Sequence, residues 1–323
     1  MSNGGSSTPA RRIGIDVGGT KTLGVRMGES GGLDQTTRQP TPVGAEAILS
    51  GVVDVALQLG AAAEPCTIGL GVAGLLDKAG VIRRAPNLPG LVRVALGPPL
   101  RQALSTDVVL ENDANCAAVA EVSLGVARGI DDVVVVTLGT GIGAGLVQGG
   151  RLQRGAHGLA GEPGHMVVEP HGPPCPCGGR GCWERYASGS GLGHLGREAA
   201  LAGKAPSLVE LAGGEPELVR GEHVSAAARA SDEAAHAVLR DFAWWVALGV
   251  ANLVAILDPE MVVLGGGLSP DIGLWIDDVR GAYADLVVAG AERPPVPIEP
   301  AHFGEEAVAV GAGLLAARAG VQQ

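Results

Sequence analysis

Apolar and polar positions alternate in short blocks whose period changes along the chain. Arg12–Asp16 (RIGID) is an apolar run that breaks at Val17-Gly18-Gly19-Thr20-Lys21 and resumes over Thr22–Met27, the pattern of two strands joined by a turn of small residues. The same arrangement returns at Asp132–Thr140 (DVVVVTLGT) followed by GIGAGLVQGG, a weak internal repeat. Ala45–Gly60 places Ile48, Val52, Val55 and Leu59 at the spacing of one buried helix face. CTIGLGVAG (66–74) and DVVLEND (107–113) read as further strands, the second running into helix-like NCAAVAEVSLG. From Ser188 to Ala255 the pattern is mostly helical, with loops at 211–217 and around Gly221. Glu260–Leu264 (EMVVL) is then a strand ending in Gly265-Gly266-Gly267. A Pro-rich, linker-like stretch (288–301) precedes a last helix, Glu305–Ala319. Strands and helices in this order predict an α/β fold with a sheet that is partly parallel and helices outside it.

Length and composition narrow the class. A chain of 323 residues suits two domains or one large two-lobed enzyme. With 53 glycines and only 2% aromatics, its core must be built from Val, Leu, Ile and Ala, with many close backbone approaches. A net charge of -11 opposes a nucleic-acid partner, because phosphate backbones need a basic face. MSNGGSSTPARR is a small polar tail with no secretory apolar region, and the longest apolar stretch, Ala243–Leu257, falls short of the ~20 residues of a membrane span. That stretch reads as a buried core helix, and the protein as soluble and cytoplasmic with no membrane partner.

The glycine turns are candidates for phosphate binding. Without Cβ atoms, successive backbone N–H groups form an anion-binding nest. Turns at Asp16–Lys21 and Leu138–Gly143, facing each other, would cradle a polyanion from two sides, and Asp16 would suit a largely hydrated Mg²⁺ ion. Ordinary hairpins needing positive φ are the plainer alternative for either turn alone. Gly69-x-Gly71-x-x-Gly74 and Gly191-x-Gly193-x-x-Gly196 match a dinucleotide fingerprint only as strings. The first runs into a turn with no acidic residue between Asp77 and Asp107; the second has no strand before it. No P-loop string begins near Asp16 either.

Gly161–Glu184 (GEPGHMVVEPHGPPCPCGGRGCWE) holds three of the five cysteines. His165, Cys175, Cys177 and Cys182 make a Cys₃His set, the composition of a closed structural zinc site with no position left for activated water. Glu162 and Glu184 are then groups that the metal positions. A reduced cysteine turn is the plainer alternative; a disulfide fits less well, since the cysteine count is odd and Cys66 and Cys116 stand alone in apolar runs.

Taken in order, DVGGTK (16–21), PNLPG (86–90), ENDANCAA (111–118), TLGTGIGAG (137–145), GEPGH (161–165), CPCGGRGCWE (175–184) and LGGGL (264–268) resemble the ROK family of sugar kinases and repressors, in its glucokinase branch. The likeness runs from about Arg12 to Ala316. It implies an actin-like (ribonuclease H-like) two-lobed ATPase fold with an interlobe cleft, in a homodimer or homotetramer. On that reading 1–11 is a disordered tail, 12–113 a small lobe on which the C-terminal helix (305–323) packs, and 114–304 a large lobe.

The resemblance also implies roles. Asp113 is the catalytic base; Asn87, Asn112, Asp113, Glu162, His165 and Glu184 bind the sugar hydroxyls. Asp16, Gly18, Gly19, Thr20 and Lys21, with Thr137, Gly139, Thr140 and Gly141, hold the ATP phosphates and Mg²⁺, while Gly265, Gly266 and Gly267 lie near the adenosine. His165 serves both sugar and zinc. Asn112 or Asp113 as a plain helix cap is the alternative from the residues alone. Ala73 stands where the family commonly has proline, and Pro163 replaces an aliphatic residue. The expected activity is transfer of the ATP γ-phosphoryl group to the 6-hydroxyl of glucose. The rivals are another kinase of the family (N-acetylmannosamine, fructose or mannose as acceptor, polyphosphate as donor) and a non-catalytic sugar-responsive regulator.

Overall fold

The computed structural model of the protein describes residues 11–28, 31–63 and 65–321. Of the tail expected over 1–11, residues 1–10 lie outside these, and Arg11 already opens the first strand. Strands β1 (Arg11–Val17), β2 (Lys21–Met27), β3 (Leu33–Pro40) and β4 (Cys66–Val72) are followed by a small hairpin, β5 (Leu75–Leu76) with β6 (Ile82–Arg84), and then by β7 (Val108–Asn112). They build one five-stranded sheet in the order β3-β2-β1-β4-β7. β8 (Val133–Leu138), β9 (Ile142–Gln148), β10 (Arg151–Leu152), β11 (Met261–Gly265) and β12 (Ile298–Pro300) build a second, in the order β10-β9-β8-β11-β12. In both sheets the first three strands are antiparallel neighbours and the last two add in parallel. The internal repeat is therefore a repeat of topology, and each copy opens with a hairpin whose tip is a glycine turn.

Two helices decide how the halves meet. α1 (Ala45–Gln58) and α2 (Gly97–Leu104) pack in the first half; α3 (Asp113–Leu124) follows β7 directly and lies against β8 and β9 of the second sheet. The C-terminal helix α10 (Ala307–Val321) packs on β1, β4 and α3, so the end of the chain returns to the first sheet. Glycines allow this closeness: a Cβ on Gly14 would lie 1.7 Å from the Ala309 carbonyl oxygen, and one on Gly311 1.7 Å from that of Cys116.

The second half carries the larger core. α4 (Glu184–Ala187), α5 (Gly189–Leu201), α6 (Pro206–Leu211), α7 (Gly221–Arg229), α8 (Glu233–Leu257) and α9 (Ile276–Leu286) pack around Trp183, Phe242 and Trp275. α8, at 25 residues, is longer than its apolar stretch suggests, and by length and composition alone it passes for a membrane span. Its buried face, from Ala235 through Phe242 and Val246 to Val254, is covered by neighbouring helices. Besides the short strands β5, β6 and β10, four longer or better separated elements escape the hydrophobic pattern. β3 is a polar edge strand, α2 begins on Gly97-Pro98-Pro99, α9 has an apolar face of only Ile276, Val279 and Tyr283, and β12 lies inside the stretch read as a linker.

Candidate active site

The site is built where α3 starts between the two sheets. Asn112 ends β7 and caps α3: its Oδ1 accepts from the Asn115 amide at 3.0 Å, and its Nδ2 donates to the Gly74 carbonyl (3.2 Å) and to Asp113 Oδ1 (2.9 Å). Asp113 is the first helical residue, its Oδ1 accepting also from the Ala114 amide at 2.9 Å. The capping alternative thus holds for Asn112, whose two amide hydrogens are both committed within the chain, leaving one lone pair of Oδ1 for any ligand.

Three carboxyls are raised here. Burial pushes the Asp113 carboxyl up to about 6, against the donors at Ala114 and Asn112 that favour its charged form. Burial, then the Asp113 charge, raises Asp16 to about 7, opposed by Lys21. Burial, then Asp113 and Glu184, raises Glu162 to about 7. Residues 16, 113, 162 and 184 come from four separate segments of the chain, so their mutual influence is a tertiary achievement. Such a crowd of raised carboxyls marks a functional cleft.

The glycine turns flank it. In the first, the Gly18 amide donates to Lys21 O (3.1 Å) and Thr41 Oγ1 to Gly18 O (2.7 Å); a Cβ on Gly19 would stand 2.8 Å from Asn87 O, so the PNL loop lies directly on the turn. Lys21 ion-pairs with Glu305, which also binds Arg38, and the Lys21 hydrogen bond above all holds Glu305 below its ordinary value. Thr20 is exposed. In the second turn the Gly139 amide donates to Gly141 O (2.9 Å), and the Leu268 amide to Leu138 O (2.9 Å). The Gly189 amide donates to Gly139 O (2.8 Å) and Ser190 Oγ to Thr140 O (2.9 Å). Gly265 pairs with Thr137, and Gly266, at φ 88°, presses so close that a Cβ would lie 2.7 Å from Leu138 N. The three glycines and the 138–141 turn therefore form one backbone-lined wall.

The cysteine loop supplies the third side. His165 closes a short 3₁₀ turn (Pro163–His165), and its Nδ1 lies 3.8 Å from Cys175 Sγ; Cys177 and Cys182 sulfurs are 3.7 Å apart. One ligand atom from each of His165, Cys175, Cys177 and Cys182 falls within 4.8 Å of all the others, a cluster that fits a tetrahedral zinc ion. Burial raises the thiols of Cys175 and Cys182, the latter to about 12, while the Gly179 amide lowers that of Cys177; a cation would favour all three thiolates. The loop is anchored by Trp183, fully buried against Gly249 of α8, with Nε1 donating to Trp245 O at 2.7 Å. The Trp183 amide bonds Met166 O (2.8 Å), pairing the loop with the segment after His165. The next residue, Glu184, sends Oε2 to the Ile142 amide at 3.0 Å, tying this loop to the second glycine turn.

Glu111, Arg154, Glu305 and Arg38 are functional candidates that the motifs did not single out. Glu111 is 7% exposed and ion-paired to Arg154 at 2.6 Å. A charged residue inside the apolar run before Asn112 was the available signal; Glu305 had none, being 284 positions from Lys21.

Comparison with known proteins gives the same placement. The ROK family profile matches residues 12–319. A glucokinase of Streptomyces coelicolor is 36% identical over 307 residues, 94% of this chain and 96% of the relative. An N-acetylmannosamine kinase of Escherichia fergusonii is 32% identical, covering 94% of this chain and 97% of its own. The crystal structure of a ROK family glucokinase from Streptomyces griseus in complex with glucose and AMPPNP superposes with a TM-score of 0.87 at 36% identity, over 96% of this chain and all of that one. The two sheets are thus the halves of the actin-like, two-lobed arrangement that the motifs implied, and the chain belongs to the ROK family, in its glucokinase branch.

Proposed function

We propose that the cleft phosphorylates glucose, with ATP as donor and Asp113 as the base that takes the proton of the 6-hydroxyl. The observation that carries this reading is the placement of Asp113: a half-buried carboxylate at the start of α3, with Oδ1 held by Asn112 and Ala114 and Oδ2 left to receive a proton. Its raised value, about 6, suits a base that is ionised at neutral pH yet basic enough to accept a proton. Phosphoryl transfer asks the protein mainly for positioning and charge neutralisation. ATP with Mg²⁺ supplies the transferable phosphoryl group and screens its charge. Backbone amides of 19–21, 140 and 141 hold its phosphates on turns that the Gly18 and Gly139 amides close, Asp16 takes the hydrated cation, and Gly265–Gly267 leave room for the adenosine. Asp113, Asn87, Glu162, His165 and Glu184 fix the sugar hydroxyls; Asn112 contributes a single acceptor and chiefly aims Asp113.

Zinc on His165, Cys175, Cys177 and Cys182 would stiffen the rim that carries Glu162 and Glu184. We divide the lobes at 12–113, with the C-terminal helix, and 114–304. The donor, a cytosolic nucleotide, places the enzyme in the cytoplasm, as a homodimer or homotetramer. A coupled assay over glucose, mannose, fructose and N-acetylmannosamine, with ATP or polyphosphate, tests the reading. Highest kcat/KM with glucose and ATP is expected. Preference for N-acetylmannosamine, the acceptor named for the Escherichia fergusonii relative, would move the chain to that activity, and no turnover with any sugar would leave a sugar-responsive regulator.

A further inference from the structure

Directly behind the proposed base, the nearly buried carboxylate of Glu111 is paired with the half-exposed guanidinium of Arg154. Glu111 Oε1 accepts from the Asn112 amide and from Asn115 Nδ2, both at 3.0 Å; Oε2 takes Arg154 Nε at 2.6 Å. The first two bonds fix the turn in which β7 becomes α3, one residue before Asp113 and two after it. The third crosses between lobes, because Arg154 follows β10 on the segment that leads into Gly161–His165. A second interlobe contact lies beside it, the Lys78 amide donating to His157 O at 3.3 Å. Glu111 is nearly buried with both oxygens engaged, so removing Arg154 would leave its charge poorly compensated, and the three bonds together fix one geometry at this turn.

We propose that Glu111 and Arg154 are positioning residues, which hold Asp113 in register with the sugar-binding loop of the opposite lobe. The proposal rests on the reading of Asp113 as base. Arg154 transmits the position of the loop to Glu111, Glu111 sets the start of α3, and the start of α3 aims the Asp113 carboxylate. Misplacing a reacting group by about 1 Å costs on the order of 100-fold in rate.

The pair also forms one wall of a cavity of about 360 Å³ along the seam, shared with Lys78, Arg101, Val108 and Gly158. That opening makes a chemical test available. Arg154→Ala should lower kcat about 100-fold with little change in the KM for sugar, the signature of a lost transition-state alignment. Millimolar guanidinium, small enough to enter the cavity and replace the lost side chain, should restore at least about tenfold of that rate. Glu111→Gln keeps an acceptor for Asn112 and Asn115 but removes the charge, and should cost about tenfold in kcat if Arg154 alone is left unpaired. Wild-type kcat in either variant overturns the proposal. So does a loss in which kcat and sugar affinity fall together and guanidinium changes nothing, which would mark plain structural damage. Should Arg154→Ala not fold, Glu111→Gln decides by itself. Asp113→Asn separates the two readings: an active Asp113→Asn refutes the base, while an inactive one beside full-rate Glu111 and Arg154 variants refutes only the positioning.

Discussion

The two halves share a strand order and a glycine-tipped opening hairpin, yet they equip those turns differently. The first turn is flanked by side-chain charge: Asp16 enters it, Lys21 leaves it, and Glu305 and Arg38 complete a charged group around it. The second has no ionisable residue between Thr137 and Gly143; it is held by backbone bonds from Leu268 and Gly189 and by Glu184 from outside. A duplicated scaffold has thus been divided into a half that supplies charge and a half that supplies shape. Asp113 belongs to neither turn but to the helix between them, and its charge helps to raise Asp16 at the mouth of the first.

The largest effect should come from the shared element. Asp113→Asn is expected to lower kcat by about 10²–10⁴ while calorimetry still detects sugar binding. The Asn oxygen can still accept from Asn112 and Ala114, so the fold should survive. Retained turnover would remove the element that joins the two halves.

The carboxyl crowd adds a pH signature. Asp16, Asp113 and Glu162 have folded values of about 7, 6 and 7, above their ordinary ones, so the folded state binds more protons than the unfolded state between about pH 4 and 7. Stability should therefore fall as pH rises through that window, while kcat rises as Asp113 ionises near pH 6. Glu162→Gln should raise the melting temperature at pH 8 and lower activity. A melting temperature unchanged or reduced there would mean that the cleft carboxylates are not held at a cost.

The cysteine loop tests whether the second half is one rigid unit. Metal analysis should find about one zinc per chain, and Cys182→Ser should release it and raise the KM for sugar about tenfold, through Glu184 and the segment after His165. A zinc-free protein with wild-type KM would detach the loop from the site. Contrasting the turns themselves gives a smaller effect. Gly266→Ala, strained at positive φ and in contact with Leu138, should raise the KM for ATP about tenfold; Lys21→Met should act more on kcat, since charge rather than fit is lost. Equal effects on both parameters would erase the distinction between the halves. Glu305→Gln is the mildest, expected to change the KM for ATP by about threefold or less, because exposed ion pairs are worth little.

The duplicated hairpins, α1, the long α8 and the Cys₃His set were legible in the chain because each rests on local rules: period 2 or 3.6, and ligand spacing within one loop. β3, α2 and α9 were not, since an exposed edge strand, a helix opening on two prolines and a helix with a narrow apolar stripe carry little periodicity. Glu111 hid for a related reason, in that a lone acid in a strand shows its worth only once its partner is known.

The sequence by itself determined which groups the protein possesses: two glycine turns, a Cys₃His quartet, and an Asn-Asp pair where a strand turns into a helix. Only the tertiary structure decided their association. Asp113 acquired its raised value from burial and in turn raises Asp16 and Glu162 from distant segments, Lys21 found Glu305 from the other end of the chain, and Arg154 reached across the lobes to Glu111. Backbone preference and side-chain type act over a few residues and can be read in order, whereas desolvation and charge depend on what packing brings within a few ångströms.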